Sequence, residues 1–182
     1  MTGQPTPAEV VTFWHEAGPK RWFEKDIVFD DEIRRRYLAL HEEAAAGKLS
    51  AWEQSAEGTL ALLILLDQFP RNMFRASARA FATDALARAI AAGALVRGFD
   101  ARAPDGMRGF FYLPFEHSEN LADQERAIAF FKAIGDADGL KWAEIHTDII
   151  RRFGRFPHRN AALNRVTTPE EQRFLDEGGF KG

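Results

Sequence analysis

The feature that most constrains this chain is that its apolar residues recur at helical spacing, as in Trp142, Ile145, Ile149 and Phe153, or Ile33, Tyr37, Leu40 and Ala44. Steps of three and four residues lay one apolar stripe along an α-helix, whereas a half-buried strand needs strict alternation. No stretch alternates convincingly at period two, so the expected fold class is all-α. The helix ends are also marked. Thr6-Pro7-Ala8-Glu9 reads as a capping box with proline in the first turn, and Ser50-Ala51-Trp52-Glu53 and Thr168-Pro169-Glu170-Glu171 repeat that logic. Gly47, Gly98, Gly135 and Gly154 each follow an apolar run and read as stops. These marks predict about seven helices, at 7–17, 30–46, 50–68, 77–97, 118–134, 139–153 and 168–177. The fourth is studded with alanine (Ala78, Ala82, Ala85, Ala89, Ala92), which lets a neighbour approach closely and suits antiparallel pairs, as in bundles and helical-repeat arrays.

A length of 182 residues with 46% apolar content is enough for one compact domain over 1–182 with a real core. A formal charge of -3 argues against a dedicated nucleic-acid binder, whose domain is usually strongly basic. The absence of cysteine excludes disulfides, thiolate zinc sites and thiol nucleophiles, and it fits a reducing cytoplasm, the expected location. The opening MTGQPTPAEV has neither the basic nor the apolar region of a secretory signal. The longest uncharged apolar run, Gly58 to Leu66, falls far short of the roughly 20 residues a bilayer span needs, so no membrane partner is expected.

Three strings carry most of the chemistry: Asp67-Gln68-Phe69-Pro70-Arg71-Asn72, Tyr112-Leu113-Pro114-Phe115-Glu116-His117-Ser118-Glu119, and Phe153 to Asn160, FGRFPHRN. The first echoes in the third, Arg155-Phe156-Pro157-His158-Arg159-Asn160. In both copies a Phe-Pro step disfavours the α conformation at the ring, so each is expected to end a long helix and turn the chain. Together, LDQFPRNMFR (66–75), YLPFEHSE (112–119) and RFGRFPHRN (152–160), followed by the T-x-E-E helix start, resemble an uncharacterised, mostly bacterial family, domain of unknown function 924. The likeness extends to the FD-x-x-I stretch at Phe29 to Ile33 and covers nearly the whole chain. Two departures stand out: Asn164 replaces a glycine before Arg165, and Val166-Thr167-Thr168 stands where a Ser-Thr pair is usual. The resemblance implies a tetratricopeptide-like stack of antiparallel helices and brings no activity with it.

Charge is segregated along the chain. From Ile149 to Pro169 there are five arginines (Arg151, Arg152, Arg155, Arg159, Arg165) and no acid, and Arg71, Arg75 and Arg79 form a second such stretch. One reading is an anion site, because guanidinium forks bind carboxylate or phosphate bidentately and His158 adds a donor. The other is structural: the arginines satisfy helix-end carbonyls or pair with Asp67, Asp84, Glu116 or Glu119. Glu116 and His117 are the candidates for acid-base chemistry, because a carboxylate can orient an imidazole, while Ser118 with Glu119 also fits a helix cap. The candidate ligand-binding set is Asp67, Arg71, Asn72, Glu119, His146, Arg155, His158, Arg159 and Asn160. Phe69 and Phe156 are expected to plug the core beneath their loops, and His146 to lie partly buried beside its helix's apolar stripe. His41 and His15 read as exposed.

The expected partner is a small anionic ligand, with a peptide held in a tetratricopeptide-like groove as the alternative. No cofactor is expected, and whether a reaction is catalysed stays open. A metal-dependent hydrolase is a further alternative, since His117, His146, His158, Glu116 and Glu119 together make a nitrogen-oxygen ligand set, although no pair has the H-E-x-x-H spacing. Substrate and oligomeric state are not encoded in any of these features.

Overall fold

In the computed structural model, which describes residues 3–181, every regular element among the described residues is helical. None of these helices is long and apolar enough to cross a membrane. The chain gathers into two compact units. One runs up to Arg75 and resumes over Arg79–Pro114; the other comprises Ala76–Ala78 and the chain from Phe115 onward.

In the first unit, α1 (Pro7–Phe23) opens with the expected capping box, the Glu9 N–H donating to Thr6 Oγ1 at 3.3 Å and the Thr6 N–H to Glu9 Oε2 at 2.7 Å. It runs past residue 17 across a kink at Gly18-Pro19, where Gly18 has φ 73°. Next, α2 (Ile27–Ala45) begins earlier than its apolar period suggests, because the Asp26 carboxylate caps the Val28 and Phe29 N–H groups. Between them Phe13, Trp14, Phe29, Tyr37 and Phe69 form a ring cluster, with Tyr37 and Phe69 at 4.9 Å and Trp14 and Phe69 at 5.5 Å. Such pairs add about 0.5–1.5 kcal/mol each beyond the area they bury.

Ser50 does not cap the third helix. It opens a 3₁₀ turn, Ser50–Gln54, and Ser55 caps α3 (Ala56–Leu63) by accepting the Gly58 N–H at 3.0 Å. The expectation that DQFPRN ends this helix is overturned too. The chain widens into a π turn, Ile64–Gln68, and continues as α4 (Phe69–Met73), with Phe69 helical at φ -56° and ψ -37°. Pro70 has no N–H, and its ring would press on the carbonyl four residues back, at Leu66. The wider turn relieves that clash, and side chains take up the carbonyls it leaves exposed. His41 Nδ1 lies 2.9 Å from Leu65 O, the Thr83 hydroxyl donates to Leu66 O at 2.5 Å, and Arg71 donates to Asp67 O. His41, expected to be exposed, is buried for this reason.

The alanine-rich segment is a 3₁₀ turn, Ala78–Phe81, followed by α5 (Asp84–Val96), whose Ala87, Ala91 and Ala94 are fully buried and which packs on α3. After two 3₁₀ turns, α6 (Leu113–Glu116) leads into the second unit. There α7 (Leu121–Ile134) is capped by Asn120, whose Oδ1 accepts from Ala122 N at 2.9 Å. Ser118, the cap the sequence favoured, instead donates to Asp123 Oδ2 at 2.8 Å. A left-handed Gly135 (φ 71°) turns the chain into α8 (Ala137–Phe153), and the two helices pack along their length. α8 stops at Gly154 (φ 69°), and α9 (Pro169–Asp176) opens with the expected Thr168–Glu171 capping box.

Candidate functional site

The predicted site residues fall into two sets. Asp67, Arg71 and Asn72 belong to the first unit; Glu116, His117, Glu119, His146, Arg155, His158, Arg159 and Asn160 belong to the second.

In the first unit the arginines are engaged by carboxylates. Arg71 grips Asp84 with both terminal nitrogens at 3.1 Å and also meets Asp67 Oδ1 at 3.3 Å. Arg75 grips Asp30 through Nε and Nη2, and Asn72 donates to Asp30 Oδ1 at 2.8 Å. This is the structural alternative for the Arg71 stretch: ion pairs that satisfy buried acids.

The second unit repeats the pattern where the chain does turn sharply. Phe156 is extended (φ -88°, ψ 109°), Pro157–Arg159 form a 3₁₀ turn, and the ring of Phe156 is buried under the loop, as expected. Arg155 grips Glu171 through Nε at 2.6 Å and Nη2 at 2.9 Å, and Asn160 donates to the same carboxylate at 3.1 Å. The Arg155 hydrogen bond, joined by the Thr168 N–H and outweighing burial, holds the Glu171 carboxyl at about 2, below its ordinary 4.5. Arg165 grips Glu119 through two contacts of 2.8 Å, and Glu119 also accepts the Phe156 N–H at 2.9 Å. Burial pushes Glu119 upward, but the Arg165 and Phe156 hydrogen bonds and the Arg165 charge prevail, leaving it below the usual carboxylate range. Asn164 is left-handed at φ 53°, so asparagine takes the conformation for which glycine is the default, and the Arg165 N–H closes onto Asn160 O at 2.8 Å.

Glu116 meets His146. The His146 Nδ1 lies 2.6 Å from Glu116 Oε1, and the two residues are 6% and 2% exposed. The contact is not a hydrogen bond by geometry, and Glu116 Oε2 and both ring nitrogens of His146 are buried with no hydrogen-bond partner. Buried polar atoms are nearly always satisfied, so three in one contact pair mark this place out. Gln124, fully buried, fixes the corner behind it by donating to Glu116 O at 2.5 Å and Ser118 O at 2.6 Å. His117, beside Glu116 in sequence, is half-buried.

Three basic groups surround the Phe156 ring: His146 at 5.4 Å, His158 at 5.5 Å and the Arg159 guanidinium at 4.5 Å. Next to them Ile145, Ile149, Phe174 and Phe180, with the charged Lys141, Glu144 and Asp148, line an open groove of about 510 Å³. Among the described residues no three His, Asp or Glu side chains form a group able to hold a metal ion, which leaves the metal-hydrolase alternative without a ligand set. Sequence reasoning missed Gln124, Glu171 and Phe180 as parts of this region. The signals present were the T-x-E-E box, read only as a cap, and the Gly178-Gly179 pair before Phe180.

The fold and this region define an all-α protein with a buried carboxylate–imidazole pair beside a loop pinned by arginine–carboxylate clamps. The chain belongs to the family described as bacterial protein of unknown function (DUF924), whose model matches residues 10–179. It is similar to a protein of unknown function from Agrobacterium tumefaciens, with 49% sequence identity, 94% of this chain and 97% of that chain covered, and a TM-score of 0.91. No curated protein matches the chain.

Proposed function

We propose that the chain binds a small anionic ligand, a carboxylate or phosphate, at the Phe156 cluster of the second unit. The observation that carries this reading is the Glu116–His146 pair, joined at 2.6 Å and buried, with a free polar atom on each partner. On this reading the ligand's charge meets His146, with His158 and Arg159 beside it around Phe156. Glu116 orients His146 from the Nδ1 side and leaves Nε2 to meet the ligand. Any proton transfer to or from the ligand then runs through His146, with Glu116 as its positioning residue.

The test is a thermal-shift titration with phosphate, acetate and benzoate on the wild type, His146→Gln and His158→Gln. A ligand at about 100 times its Kd stabilises the native state by about 2.7 kcal/mol. We expect a shift in the wild type that both variants lose while keeping wild-type circular dichroism. A shift that survives in both, or none with any of the three anions, refutes the reading.

The open groove lined by Ile145, Ile149, Phe174 and Phe180 favours a second reading, a tetratricopeptide-like adaptor that holds apolar side chains of a peptide. Peptides with free and with amidated C-termini separate the two in calorimetry. Binding that survives amidation supports the groove, and binding that amidation abolishes supports the anion site.

A further inference from the structure

After α9 the chain turns at Gly178 (φ 89°) and passes Gly179, whose N–H donates to Phe174 O at 2.9 Å. Gly179 is pressed so closely against Phe174 that a Cβ there would lie 2.5 Å from its Cζ and from its carbonyl oxygen. This turn delivers Phe180. Its ring stands edge-on to His146 at 4.5 Å and to His158 at 5.0 Å, and lies 6.0 Å from Trp142. The same ring lines the groove, which His146 does not reach. Phe180 therefore touches both the groove and the buried histidine. Phe156, on another side of His146, is locked in the core, while Phe180 is half-buried and hangs from two consecutive glycines.

We propose that Phe180 is a displaceable plug over the Glu116–His146 pair, and that the space its ring fills against His146, His158 and Trp142 is the subsite for the flat apolar part of the ligand. The ligand class is then a small planar carboxylate, of the aryl-carboxylate kind. Its acid group meets the basic side chains around Phe156, and its ring replaces that of Phe180. This rests on the anion-site reading above. The chemistry of the exchange is balanced: an incoming ring makes the same edge-to-face contacts that the outgoing one gives up, so displacement forfeits little. Rotation beyond Gly179 swings the ring while the Gly179 N–H keeps its bond to Phe174 O, so α9 is left undisturbed. A tethered ring competes with a free one at high effective concentration, which lowers the apparent affinity for the ligand by the fraction of time the plug is open.

Phe180→Ala and Phe180→Leu test the plug, with benzoate as the ring-bearing probe, acetate as the ringless one, and calorimetry as the readout. A plug closed for about 90% of the time predicts roughly tenfold tighter benzoate binding in Phe180→Ala, a smaller gain in Phe180→Leu, and little change for acetate. Modification of His146 by diethyl pyrocarbonate, followed by mass spectrometry with the exposed His15 as internal reference, reads the same opening without any ligand. It should be slow in the wild type, faster in Phe180→Leu and fastest in Phe180→Ala. Equal benzoate affinity in wild type and variants, with His146 modified equally fast, overturns the plug and leaves the anion site standing. Equal gains for benzoate and acetate overturn the ring subsite. No binding of either probe to any of the three proteins overturns the anion site and the ligand assignment together.

Discussion

Replacing Glu171 by glutamine tests whether the arginines around FGRFPHRN hold the loop or wait for a ligand. In the folded chain the Arg155 pair, the Thr168 N–H and Asn160 hold the Glu171 carboxyl at about 2, against 4.5 for an ordinary glutamate. A carboxyl whose folded value lies below its unfolded one stabilises the fold above the unfolded value, and that stabilisation is lost as the pH falls through the folded one. At about 1.4 kcal/mol per tenfold the ceiling is roughly 3 kcal/mol. The Arg155 side chain is 29% exposed, and solvent screening brings the expected contribution down to about 1–2 kcal/mol. Urea unfolding of wild type and Glu171→Gln, followed by tryptophan fluorescence from pH 7 down to pH 2.5, measures it. Near neutrality the variant's midpoint should fall by about 0.5–1 M, given a slope of about 2 kcal/mol per molar. Between pH 4.5 and pH 2 the gap should narrow towards zero, because protonated glutamic acid and glutamine leave Arg155 in the same position. A gap absent at pH 7, or as wide at pH 3 as at pH 7, would show that the Arg155–Glu171 clamp does not stabilise the loop.

Two further substitutions test the backbone reading. Gly139→Ala would place a Cβ 2.6 Å from Phe131 Cε1 and 2.8 Å from Asp136 Oδ2, forcing α7 and α8 apart. A loss of about 1–3 kcal/mol is expected as a lowered thermal midpoint, and an unchanged midpoint would refute the close packing. Asn164→Gly should be neutral or stabilising by a few tenths of a kcal/mol. Asn164→Val, with φ 53° at that position, should cost about 1–2 kcal/mol in urea unfolding, and tolerance of valine would sink the left-handed assignment.

How much of this was legible depends on the distance over which each feature is decided. The capping boxes Thr6–Glu9 and Thr168–Glu171 close within four residues, and both form as read. The stop at Gly154 is equally local. The π turn was not legible, because what permits it is His41 and Thr83, 24 and 17 residues away from the carbonyls they serve. Around the candidate site, pairing did not follow from adjacency. Glu116 and His117 are neighbours in sequence, and consecutive side chains leave a helical backbone in different directions. The partner of Glu116 is His146, from the middle of α8. The acid-free run from Ile149 to Pro169 likewise looked like unpaired positive charge only because its acids come from elsewhere, Glu119 before it and Glu171 after.

The echo of FPRN in FPHRN gains its meaning from the same comparison. The two copies have different backbones, one inside a continuing helix and one in an extended-to-3₁₀ turn, so the shared letters do not specify a turn type. What they share is chemistry. In each copy the phenylalanine is buried, and the asparagine donates to a carboxylate that an arginine also grips with two nitrogens, Asp30 with Arg75 and Glu171 with Arg155. A buried carboxylate is costly unless its charge and its lone pairs are both answered, and arginine with asparagine answers both. The string therefore encodes an anchor: a ring that fixes the backbone and an amide that completes a clamped acid. In the second unit that anchor holds Phe156 in place, and the position of Phe156 in turn sets where His146, His158 and Arg159 stand around it.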